Sequence, residues 1–166
     1  MIRALMLTMI VSAVTVAWAT DHGRESTSAP RVFTAEQAQA GRIAYESSCG
    51  LCHRANMQGR TGAPGELPDV NTLPANMIKT IDENGEQVPP LVGPRFMAHW
   101  GAKSTKEYAA RVANAIGGFP PTRTDADTYL QLTAYFLQMN GGKAGKIPLR
   151  PDTEVTLFAV TGQTAP

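Results

Sequence analysis

Two kinds of residue are scarce in this chain, and their scarcity narrows what it can do. Among 166 residues there are two cysteines and three histidines. A structural zinc site takes four protein ligands, usually in Cys or Cys/His pairs. Here Cys49, Cys52 and His53 stand together, no second cysteine pair exists, and His22 and His99 are the only other histidines. Charge of one sign is missing as well. The formal balance is +1, which leaves no basic bias to suggest nucleic acid. Apart from the N-terminal segment, no run is apolar enough to span a bilayer. Between Arg54 and Pro90 no strong helical period develops, because Gly59, Gly62, Pro64, Gly65, Pro68 and Pro74 interrupt it. A chain so rich in loops needs something besides its own side chains to organise its core.

What is present begins with an export signal. Arg3 supplies a positive start, Ala4 to about Trp18 is apolar, and Ala17-Trp18-Ala19 fits the small-x-small cleavage rule. The reading is a signal peptide over 1–19, with a membrane anchor only if the segment is kept. The apolar run is shorter than the roughly 20 residues of a spanning helix. Cleavage leaves a mature chain of about 147 residues, enough for one domain with extensions. Loss of Arg3 makes basic and acidic residues equal in number.

Residues 20–33 read as a polar, flexible leader. Thr34-Ala35-Glu36-Gln37 is a capping box that starts a helix running to about Ser47. Gly41 and Tyr45 share one face of it, and Gly41 marks a close helix–helix contact. In the long stretch after His53, Met77–Ile81 and Gln87-Val88 flank Asn84-Gly85, the pattern of a small β-hairpin. Leu91 to Phe96 reads as a tight apolar turn. Ser104-Thr105-Lys106-Glu107 is a second capping box, opening a helix with Tyr108, Val112 and Ile116 on one face and a stop at Gly117-Gly118. Thr124 caps a third helix, whose apolar face is Tyr129, Leu132, Tyr135, Phe136 and Met139, and Asn140-Gly141-Gly142 ends it. The domain is therefore placed at 34–143. A tail at 144–166 follows, in which the apolar run Val155 to Val160 docks on the body.

The chemistry is concentrated in Cys49-Gly50-Leu51-Cys52-His53. An uninterrupted C-x-x-C-H is the attachment signature for a c-type haem. The two thiols can each form a thioether with a haem vinyl group, and the adjacent histidine reaches the iron. A thioredoxin-like pair would call for a βαβ context, and none follows. A disulfide between the two cysteines would close only a tiny loop and constrain little. Export agrees with covalent haem attachment, which in bacteria takes place outside the cytoplasm. The location expected is the periplasm.

The order of these parts resembles class I cytochromes c over about Thr34 to Gly142. The motif lies at the end of the first helix. Gly41 and Tyr45 look like the Gly and aromatic by which that helix crosses the C-terminal helix, with Tyr135 or Phe136 as the facing aromatic. Gly93-Pro94 matches the family's Gly-Pro turn. The resemblance implies an all-α fold of three main helices around one covalently attached haem, with a long loop insertion after the motif. It implies His53 as axial iron ligand and a Pro94 carbonyl that accepts the free N–H of His53. Pro89-Pro90-Leu91, Phe96, Trp100-Gly101 and the Asn140-Gly141 ending are similar to cytochromes that accompany quinoprotein alcohol dehydrogenases. That narrower likeness implies a redox protein partner, either a dehydrogenase or a respiratory acceptor, and a Trp100 indole that bonds a haem propionate. A core Trp is the alternative.

One position departs from the family pattern. Where the family places a Met as sixth iron ligand, the loop reads Gly117-Gly118-Phe119-Pro120-Pro121, and phenylalanine cannot ligate iron. Met77, in the long segment, is the leading substitute. An open site, His99 and Met97 are alternatives, and Met139 reads as core. An electron carrier is the function expected, with no catalytic activity of its own. A haem protein that binds small ligands such as CO or NO at an open iron is the alternative.

Overall fold

Thr34 opens the first helix as its residue type predicts. In this computed structural model, which describes residues 28–61, 78–79, 87–116 and 126–164, the Thr34 hydroxyl accepts the Gln37 amide at 3.2 Å. The Gln37 side chain returns to the Thr34 amide at 3.3 Å. Helix α1 runs Ala35–Ser47 and buries Ala38, Gly41 and Tyr45. A short helical turn, α2, spans Gly50–His53. Helix α3 is Pro94–Trp100, α4 is Thr105–Ile116, α5 is Ala126–Met139 and α6 is Leu157–Thr161. The described residues contain no sheet, only isolated bridges. The fold is all-α.

α1 and α5 form the main helix pair, with α4 packed on α5. Their crossing is close because Gly41 has no side chain. A Cβ there would strike the Gln131 carbonyl of α5. Tyr45, one turn on, meets both Tyr135 and Phe136, with ring centroids 5.6 and 5.9 Å away. From Phe136 the aromatic packing continues to Tyr108, and from there to Phe96 and Trp100. Edge-to-face contacts of this kind add to the area each ring buries.

The second capping box is also formed. The Ser104 hydroxyl accepts the Glu107 amide at 3.2 Å and the Glu107 carboxylate accepts the Ser104 amide at 2.9 Å. The buried face of α5 is wider than the one read from the sequence. Leu130 and Leu137 are buried along with Leu132, Tyr135 and Phe136, whereas Met139 is 43% exposed. Met139 was expected in the core. Its place near the helix end puts it at the surface.

Two elements differ from the sequence reading. Leu91 to Phe96 is not simply a turn: Gly93 has φ 84°, a conformation that suits glycine, and Pro94 is the first residue of α3. Proline is favoured there because its fixed φ is helical and the missing N–H has no intrahelical partner anyway. Ile78 and Lys79 are helical, so this part of the expected hairpin is not extended. Asn84-Gly85 lies outside the described residues, as do the signal segment, Met77, Phe119 and Thr124. Among the described residues no helix is long and apolar enough to cross a membrane.

The tail docks as expected, and does so as a helix. Leu157 and Val160 of α6 are buried. The Leu157 amide donates to Lys103 O at 3.0 Å and the Phe158 amide to Gly101 O at 2.9 Å. Thr105 is gripped twice, its amide donating to Val155 O at 2.8 Å and its hydroxyl to Thr153 O at 2.6 Å. Gln37, already part of the first capping box, also pairs with both main-chain groups of Leu149. One polar side chain thus joins the start of α1 to the tail.

Candidate functional site

The motif is delivered by the end of α1. After Ser47 the chain turns, and α2 places Cys49 and Cys52 one helical turn apart. The Cys52 and His53 amides both donate to Cys49 O, at 3.2 and 2.9 Å. Residues three apart on a helical turn present side chains on the same side. Both cysteines are free thiols. Cys52 is buried and Cys49 half-buried, with its sulfur 3.5 Å from the Ser48 hydroxyl. Burial pushes both thiols up from their ordinary pKa, the opposite of the depression that a disulfide-exchange thiol uses.

The chain leaves the motif abruptly. Arg54 and Met57 adopt positive φ of 64° and 60°, uncommon for residues other than glycine. The Tyr45 hydroxyl donates to Arg54 O at 2.5 Å and ties this turn back to α1. The segment 57–60 then pairs with 88–91. The Arg60 and Val88 amides exchange bonds of 2.8 and 3.1 Å, and the Leu91 amide donates to Met57 O at 2.9 Å. Met57 is fully buried.

This pairing settles the partner of the imidazole. His53 Nδ1 lies 2.9 Å from Pro89 O. A carbonyl can only accept, so Nδ1 carries the hydrogen and Nε2 keeps a free lone pair. Burial lowers the His53 pKa, the Pro89 carbonyl raises it, and the nearby Arg60 cation lowers it, with a net downward shift. The ring is therefore neutral near pH 7. The carbonyl expected from Pro94 is supplied instead by Pro89. Pro94 is committed to the first turn of α3, where its carbonyl faces along the helix.

The segment that carries Pro89 is held from behind by Asn140. Its side chain donates to Leu91 O at 3.0 Å and Phe136 O at 2.8 Å, and accepts the Gly93 amide at 3.1 Å. The sequence reading took Asn140 as a helix ending only. Trp100 is half-buried and its ring centroid is 4.9 Å from that of Tyr108, at the border of the core. His99 is exposed beside it, and Met97 is buried in the core cluster. Among nearby cations, Arg42 pairs with Glu46 at 2.7 Å and Lys103 with Glu107 at 3.6 Å on the surface. Arg60 instead binds the main chain of the motif itself.

The donor set suits a covalently held haem. It offers two free thiols on one turn and a neutral imidazole with its outer nitrogen already bonded. Histidines that ligate metals almost always donate their other N–H in this way. Among the described residues no three His, Cys, Asp or Glu side chains converge as a metal cluster. Comparison with known proteins returned no matching family model, curated relative or solved structure.

Proposed function

We propose that this chain is an exported electron-transfer protein of the class I cytochrome c type. Cys49 and Cys52 would hold one haem by thioether bonds and His53 would ligate its iron. The single observation that carries the reading is the contact between His53 Nδ1 and Pro89 O within an intact C-x-x-C-H. The all-α fold, with α1 crossing α5 at Gly41 and Tyr45, supports it.

A haem bound here would supply a one-electron iron couple. The protein's own part is to hold and orient. Cys49 and Cys52 would fix the group to α2. The Pro89 carbonyl accepts the Nδ1 hydrogen, which leaves the Nε2 lone pair for a metal and would strengthen the imidazole as a donor. Tyr45 and Asn140 hold the two segments that carry these groups. The periplasm is the location that the N-terminal signal supports, and a dehydrogenase or respiratory acceptor is the partner that fits.

Phe119 favours a second reading, in which the sixth iron position is open and binds CO or NO. The deciding experiment for the haem itself is expression with haem-attachment machinery, followed by denaturing electrophoresis and haem staining. Wild type should retain a covalent haem, and the Cys49→Ala/Cys52→Ala double variant should not. A wild-type chain without covalent haem would overturn the proposal.

A further inference from the structure

Arg60 stands outside the motif, yet it grips both halves of the site. Its Nε donates to Cys52 O at 2.8 Å and its Nη2 to Leu51 O at 2.6 Å. These carbonyls belong to α2, which is too short to pair them within the helix. The chain turns away at Arg54, so no following turn of helix can supply the missing donors. The main chain of Arg60 meanwhile exchanges two hydrogen bonds with Val88. Val88 is bonded to Pro89, the acceptor for His53. A closed ring of contacts results, running from His53 to Pro89, Val88, Arg60, Cys52 and back to His53.

Gly59 makes the approach close enough. Its φ is 70°, and a Cβ there would strike the Val88 carbonyl. Its amide also donates to His53 O at 3.2 Å. The chain on the N-terminal side of Arg60 is thus bound to the motif residue, and Arg60 itself is bound to the segment that orients that residue.

We infer that Arg60 is the positioning residue of this site: its planar guanidinium locks α2 in register with the Pro89 carbonyl, and so sets the tautomer and orientation of His53. The consequence for iron ligation rests on the haem reading, whereas the positioning does not. A guanidinium presents its donors in a rigid fork, and a lysine ammonium is a single flexible point. Lysine therefore keeps the charge without holding both carbonyls in one plane.

The test reads the Nδ1–H of His53 by NMR in the full chain labelled with 15N-histidine. The sample is reduced and saturated with carbon monoxide, so that any haem iron is diamagnetic. In wild type this proton should exchange slowly with water. In Arg60→Met it should exchange at least tenfold faster, with Arg60→Lys in between, while backbone amides at the α1–α5 crossing keep their wild-type rates. Equal His53 exchange in Arg60→Met and wild type would sink the inference. So would an equal acceleration of the crossing amides, which would mark a general loss of stability. Should Arg60→Met fail to fold, Arg60→Lys decides: a rate above wild type supports the role and an unchanged rate removes it. Covalent haem is scored separately on the wild-type sample. Its absence would count against the cytochrome reading alone, since the His53–Pro89 bond is read in either state.

Discussion

Gly41 of α1 packs directly on the main-chain carbonyl of Gln131 in α5. No side chain fits between them, because a Cβ on residue 41 would occupy the position of that oxygen. The obstacle is backbone, which cannot swing aside as a flexible side chain would. Gly41→Ala is therefore expected to destabilise the protein by about 3 kcal/mol, the upper end of overpacking costs. The gain in helix propensity from alanine, about 1 kcal/mol, does not offset this. A urea titration should show a lower midpoint, and an unchanged midpoint would mean that the helices do not cross at this residue.

Tyr45 should separate packing from hydrogen bonding. Its ring lies against Tyr135 and Phe136, and its hydroxyl donates to Arg54 O. Tyr45→Phe keeps the ring and removes the donor. The expected loss is about 1 kcal/mol, read as a small fall in the unfolding midpoint. A loss several times larger would show that the Arg54 turn collapses without this bond.

Asn140 serves three main-chain groups, Leu91 O, Phe136 O and the Gly93 amide. Asn140→Ala leaves Leu91 O and the Gly93 amide without this partner at a half-buried position. The expected cost is about 3 kcal/mol. Because Leu91 and Gly93 lie just beyond Pro89, exchange of the His53 Nδ1–H should quicken too. Thermal unfolding and 15N-imidazole NMR would check both effects.

The tail is expected to be part of the stable body. Leu157 is almost fully buried, and Leu157→Ala should cost about 3 kcal/mol, within the range for truncating a buried leucine. Calorimetry of the variant would show one transition at a lower temperature. A second, early transition would mean that α6 unfolds by itself.

If the chain carries the proposed haem, adding CO to the ferrous form decides the sixth iron position. With an open or weakly held site, the spectrum shifts at once. With a strong protein ligand it starts low-spin and stays unchanged. In that second case Met77→Ala tests the leading candidate, and its spectrum should become high-spin and CO-sensitive. A low-spin Met77→Ala spectrum would remove Met77 as ligand.

Several features were legible because their causes are local. Both capping boxes pair residues three apart, so Thr34 with Gln37 and Ser104 with Glu107 can be read from spacing alone. Gly41 and Tyr45, one turn apart, were readable as a crossing face for the same reason. The apolar run at Val155–Val160 could be read as a docking segment from its composition. Its helical form was less visible, since five residues are too few to show a period.

The site is a mixed case. Cys49, Cys52 and His53 fall within five consecutive residues, so the motif could be read from local spacing alone. The carbonyl that meets the imidazole was a different matter. Pro89 lies 36 residues from His53 and Pro94 only five residues further on. Both are prolines after a loop, and only the likeness of Gly93-Pro94 to a Gly-Pro turn ranked them, in favour of the one that does not meet His53. The structure decides through geometry: Pro94 is taken up in the first turn of α3, while Pro89 follows Val88, which pairs with Arg60.

Arg60 shows the same division. By composition it is one more cation in a loop, and a charged side chain is solvated by default. Only the folded chain places it over two carbonyls that a four-residue helical turn leaves unpaired. The sequence by itself determined what depends on neighbours within a turn or two: where helices start, which face is apolar, and which residues form the motif. Tertiary structure alone decided which distant main-chain groups meet that motif, because those contacts depend on how loops of no particular period close upon one another.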